Sequence, residues 1–333
     1  MPNPISTDTV LDWDFLGNAW ALKLLQGQLA NQSLSHAYLL TGPDGIGRRT
    51  LALKLAQAVI CEHPPAAGQY CGECRTCRRV LTMQHPDLHL LELQEGDRKI
   101  KIDAVRELSR MLSLTPFEAH KQIALLLDFE QASDGAANAL LKTLEEPSAS
   151  VLLLLTAESA ESLPATIASR CEVFNLRPMP EADLQQALVA RGVAEQLAQQ
   201  AARFSSGRPG LAVQLLEQEG ALEQRQAWAG ELLELLGSSQ VERFAYAQEI
   251  SRDREELVER LGVWLAWWRE LLLAKNGSGT LPSSEVGANL ERLNRQDVRT
   301  FVDALQGSLA ALRGNVNLRL TMESLLLGLP KST

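Results

Sequence analysis

Cys61, Cys71, Cys74 and Cys77 follow the spacing Cys-x9-Cys-x2-Cys-x2-Cys. Spacers of two residues bring successive sulfurs around a tight turn onto one tetrahedral zinc ion. Gly72, between the second and third cysteines, suits such a turn, and Arg75, Arg78 and Arg79 can offset the charge of four thiolates. Four protein ligands leave no open position for a substrate, so the expected role is structural. A redox role fits less well, because two Cys-x-x-Cys pairs overlap. The competing ligand set makes Cys61 a core residue at a helix end and brings in His63 or His85. The set adopted here is all four cysteines.

A second chemistry-bearing stretch is Gly42-Pro43-Asp44-Gly45-Ile46-Gly47-Arg48-Arg49-Thr50. A glycine-rich loop between a strand and a helix presents backbone N–H groups and a helix N-terminus to phosphate. The full motif has Lys where this chain has Arg48, and Ser or Thr where it has Arg49; Thr50 comes one residue late. Arginine keeps the charge but is planar and bulkier than the lysine the loop normally closes around. The missing hydroxyl removes the usual magnesium ligand. The loop either preserves the fold without nucleotide or binds ATP or ADP weakly, and both rank above efficient hydrolysis.

A third stretch is Leu125-Leu126-Leu127-Asp128-Phe129-Glu130. Asp128 ends an apolar run and could hold magnesium or its waters. Hydrolysis needs a neighbouring carboxylate to orient water, and Phe129 occupies that place. Continued as a strand, the chain would turn Glu130 to the opposite face. Glu130 is equally readable as a cap on the following turn.

These residues need a scaffold that delivers strand ends to one side. The first two-thirds of the chain supplies short continuous apolar runs, at 36–41, 88–93, 123–127, 151–156 and 172–175, separated by helical patterns at 49–60, 102–112 and 133–144. Continuous apolar strands between helices imply an α/β fold with a parallel sheet covered on both faces. Glu146-Pro147 stops the third helix. After Arg177-Pro178-Met179-Pro180 the pattern is helical throughout, with a Gly/Ser/Pro loop at Asn276–Ser284. The expected division is 1–178 for the nucleotide-binding-like α/β domain with its cysteine module at 61–77, 179–218 for a small three-helix lid, and 219–333 for an all-α domain.

The chain has 333 residues and a formal net charge of -9. Such a surface does not wrap the phosphate backbone as a whole. No apolar run is long enough to span a bilayer, and the first residues lack a basic and an apolar segment, so the expected location is cytoplasmic with no membrane partner. A cysteine cluster in such a chain favours metal over disulfides. Cys171 lies apart and is expected to be a small buried residue.

Together, HAYLLTGPDGIG, the cysteine module, Asn138-Ala139-Leu140-Leu141-Lys142-Thr143-Leu144-Glu145-Glu146-Pro147 and Ser169-Arg170-Cys171 resemble, in order and spacing, the bacterial clamp-loader AAA+ family. The resemblance covers about the first 215 residues and continues more weakly to Asn315-Val316-Asn317-Leu318-Arg319-Leu320. It implies an AAA+ module with an inserted zinc module, a helical lid and a C-terminal collar that holds subunits in a ring. The family has an ATP-hydrolysing motor branch (gamma/tau) and a non-hydrolysing stator branch. Arg48, Arg49, Phe129 and Gly210, the last where a motor's sensor Arg is expected, align this chain with the stator; Thr156 retains the polar first sensor. By the same resemblance, Arg170 is an arginine finger acting in trans on a neighbouring motor subunit, with Ser169 shaping its turn. The implied partners are the gamma/tau motor subunits, the delta subunit, and, through the assembly, the sliding clamp and primer–template DNA. Trp264, Trp267 and Trp268 are expected in the collar core. The alternatives are an active motor subunit and, further off, a zinc-finger nucleic-acid binder.

Overall fold

A computed structural model describes residues 13–277 and 293–330, apart from 313 and 315. Most of the Asn276–Ser284 loop, and Asn315 of the C-terminal motif, lie outside the described residues. The chain forms two compact units, Met1–Val213 and Gln214–Thr333.

In the first unit, helix α1 (Ala19–Ala30) precedes strand β1 (Ala37–Thr41), and the glycine-rich loop leads into α2 (Arg48–Ile60). The cysteine module carries α3 (Arg75–Leu81); β2 (Leu88–Leu91), α4 (Ile102–Leu112), β3 (Gln122–Leu126), α5 (Asp134–Glu145), β4 (Val151–Ala157), α6 (Ala165–Ala168) and β5 (Glu172–Asn175) follow. Then come α7 (Glu181–Ala190), α8 (Glu195–Phe204) and α9 (Pro209–Glu217), within which the unit boundary falls. The described strands pair in parallel, in the order β2-β3-β4-β1-β5.

The continuous apolar runs have a plain physical cause. Successive side chains of a strand point to opposite faces. Tyr38, Leu40, Ile123, Leu125, Leu152 and Leu154 share one core with Leu22 and Leu25 of α1 and Leu51 and Leu55 of α2. The alternate residues Ala37, Leu39, Ala124, Leu126, Leu153 and Leu155 pack with Val105 and Leu108 of α4 and Leu140 and Leu144 of α5. Both faces are covered, so the central strands are apolar along their length, with buried polar residues only near their ends (Thr41, Gln122 and Thr156). Ser133 starts α5 by accepting from the Ala136 N–H at 3.2 Å.

Besides the one-turn α6, two helices escaped delineation in the sequence. In α1, Ala21, Leu22 and Leu25 are buried at helical spacing, a signal that the run contains. In α3, seven residues including three arginines carry no strong periodicity. That helix starts because the Cys74 sulfur accepts from the Cys77 N–H at 3.3 Å, an interaction that depends on the cysteine fold.

The second unit holds α10 (Ala221–Gly237), α11 (Gln240–Ile250), α12 (Arg254–Lys275), α13 (Arg295–Leu312) and α14 (Leu318–Leu327). Trp264, Trp267 and Trp268 are buried in its core beside Phe301 and Leu305, as expected. Arg243 is also buried and donates to the carbonyls of Leu235 at 3.1 Å and Leu329 at 2.9 Å. It thereby gives a buried side-chain donor to a carbonyl in the last turn of α10 and to one just past α14. No described helix is long and apolar enough to cross a membrane.

Candidate functional site: an altered phosphate loop and a four-sulfur cluster

The loop Gly42–Gly47 leaves the C-terminal end of β1 and opens α2, where an open α/β sheet gathers its ligands. Arg48 begins α2 and is buried, whereas Arg49 and Thr50 are exposed on the same turn. Two arginines at a helix N-terminus oppose the positive end of its dipole. Carboxylates compensate: Arg48 Nη2 lies 2.9 Å from Asp128 Oδ1 and 3.8 Å from Asp44 Oδ1. The guanidinium thus bridges the loop and the turn that follows β3. Its other nitrogen, Nη1, is buried without an acceptor among the described residues.

Asp128 itself adopts a left-handed backbone, φ 45° and ψ 53°. Its N–H donates to Thr156 Oγ1 at 2.8 Å, so the hydroxyl at the first-sensor position is engaged with backbone. Strand β3 has already ended, and Phe129–Gln131 forms a 3-10 turn. The expectation of a continued strand at Glu130 is therefore corrected. Glu130 folds back through that turn and accepts from the Glu158 N–H at 3.1 Å. Burial raises its carboxyl above the ordinary value. Phe129 is buried in the core shared with α4 and α5, so no carboxylate adjoins Asp128 on its C-terminal side.

The first turn of α9 closes over the loop. The Leu211 N–H donates to the Gly45 carbonyl at 2.9 Å. A Cβ added at Gly210 would meet that carbonyl oxygen at 2.8 Å, and one added at Gly45 would meet Leu211 Cβ at 2.7 Å. Only paired glycines permit this backbone approach. Arg208 Nη1 adds a 3.2 Å contact to the Asp44 carbonyl. The carbonyls of Asp44 and Gly45 are thus engaged by donors from within the chain. Sequence had singled out Gly210 only as a missing arginine; that it touches Gly45 required the fold.

The four cysteines do converge. Their sulfurs all lie within 4.8 Å of one another, with Cys61–Cys71 at 3.6 Å and Cys71–Cys77 at 4.0 Å. A tetrahedron with Zn–S bonds of about 2.3 Å has edges of roughly 3.8 Å. The N–H groups of Cys71, Cys74 and Cys77 donate to the sulfurs of Cys61, Cys71 and Cys74, each at 3.3 Å. These donors favour thiolate; the Cys74 N–H is the main cause that lowers the Cys71 thiol to about 6. Burial pushes Cys61 and Cys77 the other way. The donor set fits a tetrahedral metal ion. His85 instead accepts the Asp87 N–H through Nδ1 at 3.1 Å, and neither it nor His63 belongs to the cluster.

Arg170 follows α6, away from the cysteines. Its Nη1 donates to the Thr166 carbonyl and its Nη2 to Glu145 Oε1, both at 2.7 Å. Ser169 caps the helix end, its hydroxyl 3.4 Å from the same Thr166 carbonyl. Cys171, expected to be buried, is only partly buried, at the edge of the core that holds Leu140 and Ile167, and its burial raises the thiol to about 12.

Residues 17–180 match the family described as DNA polymerase III, delta subunit. The chain is 40% identical over 194 residues to the DNA polymerase III subunit delta' of Pseudomonas aeruginosa, covering 57% of this chain and 58% of that protein, just over half of it. It is 29% identical over 315 residues to the subunit delta' of Bacillus subtilis, covering 92% and 94%. A solved gamma subunit-related protein of DNA polymerase III from Thermotoga maritima superposes with a TM-score of 0.51 at 22% identity, over 92% of this chain and 97% of that one. The chain accordingly shares the fold of that gamma subunit-related protein.

Proposed function

We propose that this chain, whose residues 17–180 match the DNA polymerase III delta-subunit family and which is similar to the delta' subunits, is a non-hydrolysing stator of a clamp loader in DNA replication. The observation that carries this reading is the Arg48–Asp128 ion pair. It sets a guanidinium between the two groups that a hydrolysing site reserves for phosphate and magnesium. Phe129, in place of a water-orienting carboxylate, and the first turn of α9 on Gly45 support the same reading. The cysteines Cys61, Cys71, Cys74 and Cys77 would hold a structural zinc ion that stabilises the 61–77 module.

In this proposal Arg170 is the catalytic contribution, given to a neighbouring gamma/tau motor subunit. A guanidinium set against developing charge on a transferring phosphoryl group contributes about 10³–10⁵ in rate where such fingers act. Residues 179–218 would form the lid, and the all-α unit the collar of the hetero-oligomer. The delta subunit, the sliding clamp and primer–template DNA would be partners through that assembly.

The test is ATP turnover by the loader reconstituted from motor subunits, delta subunit and this chain, with clamp and primed DNA. Arg170→Ala should sharply lower stimulated turnover while the complex still assembles, and the pure chain alone should hydrolyse no ATP. Unchanged turnover in an intact complex removes Arg170 from catalysis; steady hydrolysis by the chain alone makes it a motor.

A further inference from the structure

Glu145 is the last residue of α5 and is followed by Glu146. A helix C-terminus carries partial negative charge and favours cations. An acidic residue there needs a compensating reason. Glu145 has one: its Oε1 accepts from Arg170 Nη2 at 2.7 Å across two elements that pack together, α5 and α6.

The pair is not a strong stabilising device. The side chains are 35% exposed at Arg170 and 50% at Glu145, and ion pairs so placed contribute little to folding. What the contact does is geometric. Arginine has many rotamers, and an exposed guanidinium on a short helix end samples most of them. Here one terminal nitrogen is fixed on the Thr166 carbonyl and the other on Glu145. Two anchors from different elements define both the position and the plane of the fork. Two of its five N–H donors are used, which leaves the remaining edge for an acceptor outside the chain.

We infer that Glu145 is a positioning residue that holds Arg170 in the orientation from which it enters a neighbouring subunit's phosphate site. This inference rests on the arginine-finger reading above. Losing the anchor would release a side chain whose freedom must then be lost again at each turnover. Ordering one such side chain corresponds to about a threefold to tenfold change in rate.

The experiment is clamp- and DNA-stimulated ATP hydrolysis by the reconstituted loader at saturating ATP, with kcat and KM determined separately. Glu145→Ala should lower kcat about threefold to tenfold, with KM and complex assembly unchanged. Glu145→Gln keeps a carbonyl oxygen to accept from Arg170 and should restore most of the loss, which a role in general stability would not produce. The double variant Arg170→Ala/Glu145→Ala should be no slower than Arg170→Ala alone. If Arg170→Ala lowers turnover but Glu145→Ala leaves or raises it, the positioning role is overturned and the finger stands. If Arg170→Ala itself has no effect in an assembled loader, the finger reading fails first. An additive loss in the double variant overturns the proposal too, since Glu145 would then act other than through Arg170.

Discussion

Replacing Asp128 by alanine tests the ion pair on which the non-hydrolysing reading depends. Arg48 is 9% exposed, and without Asp128 its nearest carboxylate is that of Asp44, 3.8 Å away on a fully exposed side chain. Removing one partner of a fully buried pair costs about 3–5 kcal/mol, because the other charge stays desolvated. Asp128 is 45% exposed, so water screens part of that loss, and about 1–2 kcal/mol is the better figure. Its N–H bond to Thr156 Oγ1 belongs to the backbone and survives the change. For a unit of some 200 residues this is a fall in Tm of roughly 2–8 °C. Urea unfolding with hydrogen exchange read out in β3 and β4 isolates the first unit from the helical one. Arg48→Met/Asp128→Ala is the control: an apolar chain in the same groove removes the stranded charge and should recover most of the loss. If Asp128→Ala unfolds like the wild type, or if the double variant is less stable than the single one, Arg48 is not held by Asp128 and the site is not closed by its own charges.

Arg48→Lys/Arg49→Thr restores the phosphate-loop residues but leaves α9 on Gly45; titration calorimetry should detect no ATP binding tighter than about 1 mM, the weak end of ordinary enzyme affinities, and micromolar binding would show that α9 does not block the loop. Elemental analysis should find about one zinc per chain, and Cys74→Ala should abolish it together with exchange protection of α3; full protection without metal would make the cluster a thiol core only. Asp87 accepts the N–H groups of Phe117, Glu118 and Ala119 at 2.6–2.8 Å. Burial works to raise its carboxyl, and the three donors together outweigh it, leaving the group below its ordinary value. Its stabilising contribution is therefore complete above the unfolded value of about 3.9 and fades as pH falls through the lower folded value. Asp87→Asn should cost about 1–3 kcal/mol at neutral pH and flatten the acid limb of stability below about pH 4; an unchanged acid limb would mean another carboxylate sets it.

Much of the chain was legible before any coordinates. Apolar runs with no polar interruption report strands buried on both faces, and the helical patterns between them call for parallel pairing, so β1, β3 and β4 were legible as strands of a covered parallel sheet. The cysteine spacing carried its own geometry, because two-residue spacers constrain sulfur positions locally. Replacement of Lys by Arg48 and the presence of Phe129 were visible as departures from a motif. What those departures do was not visible. Residues 48 and 128 meet only because β1 and β3 flank β4 in one parallel sheet, which brings their C-terminal ends together. Gly210 appeared as an absent arginine, whereas the fold gives it a steric reason: its missing Cβ lets α9 reach the Gly45 carbonyl. Glu145 and Arg170 are 25 residues apart and neither announces the other; the packing of α6 on α5 makes them a pair. Local chemistry and periodicity are written in neighbouring residues, while contacts between strand ends and between helices depend on a topology that only the folded chain brings about.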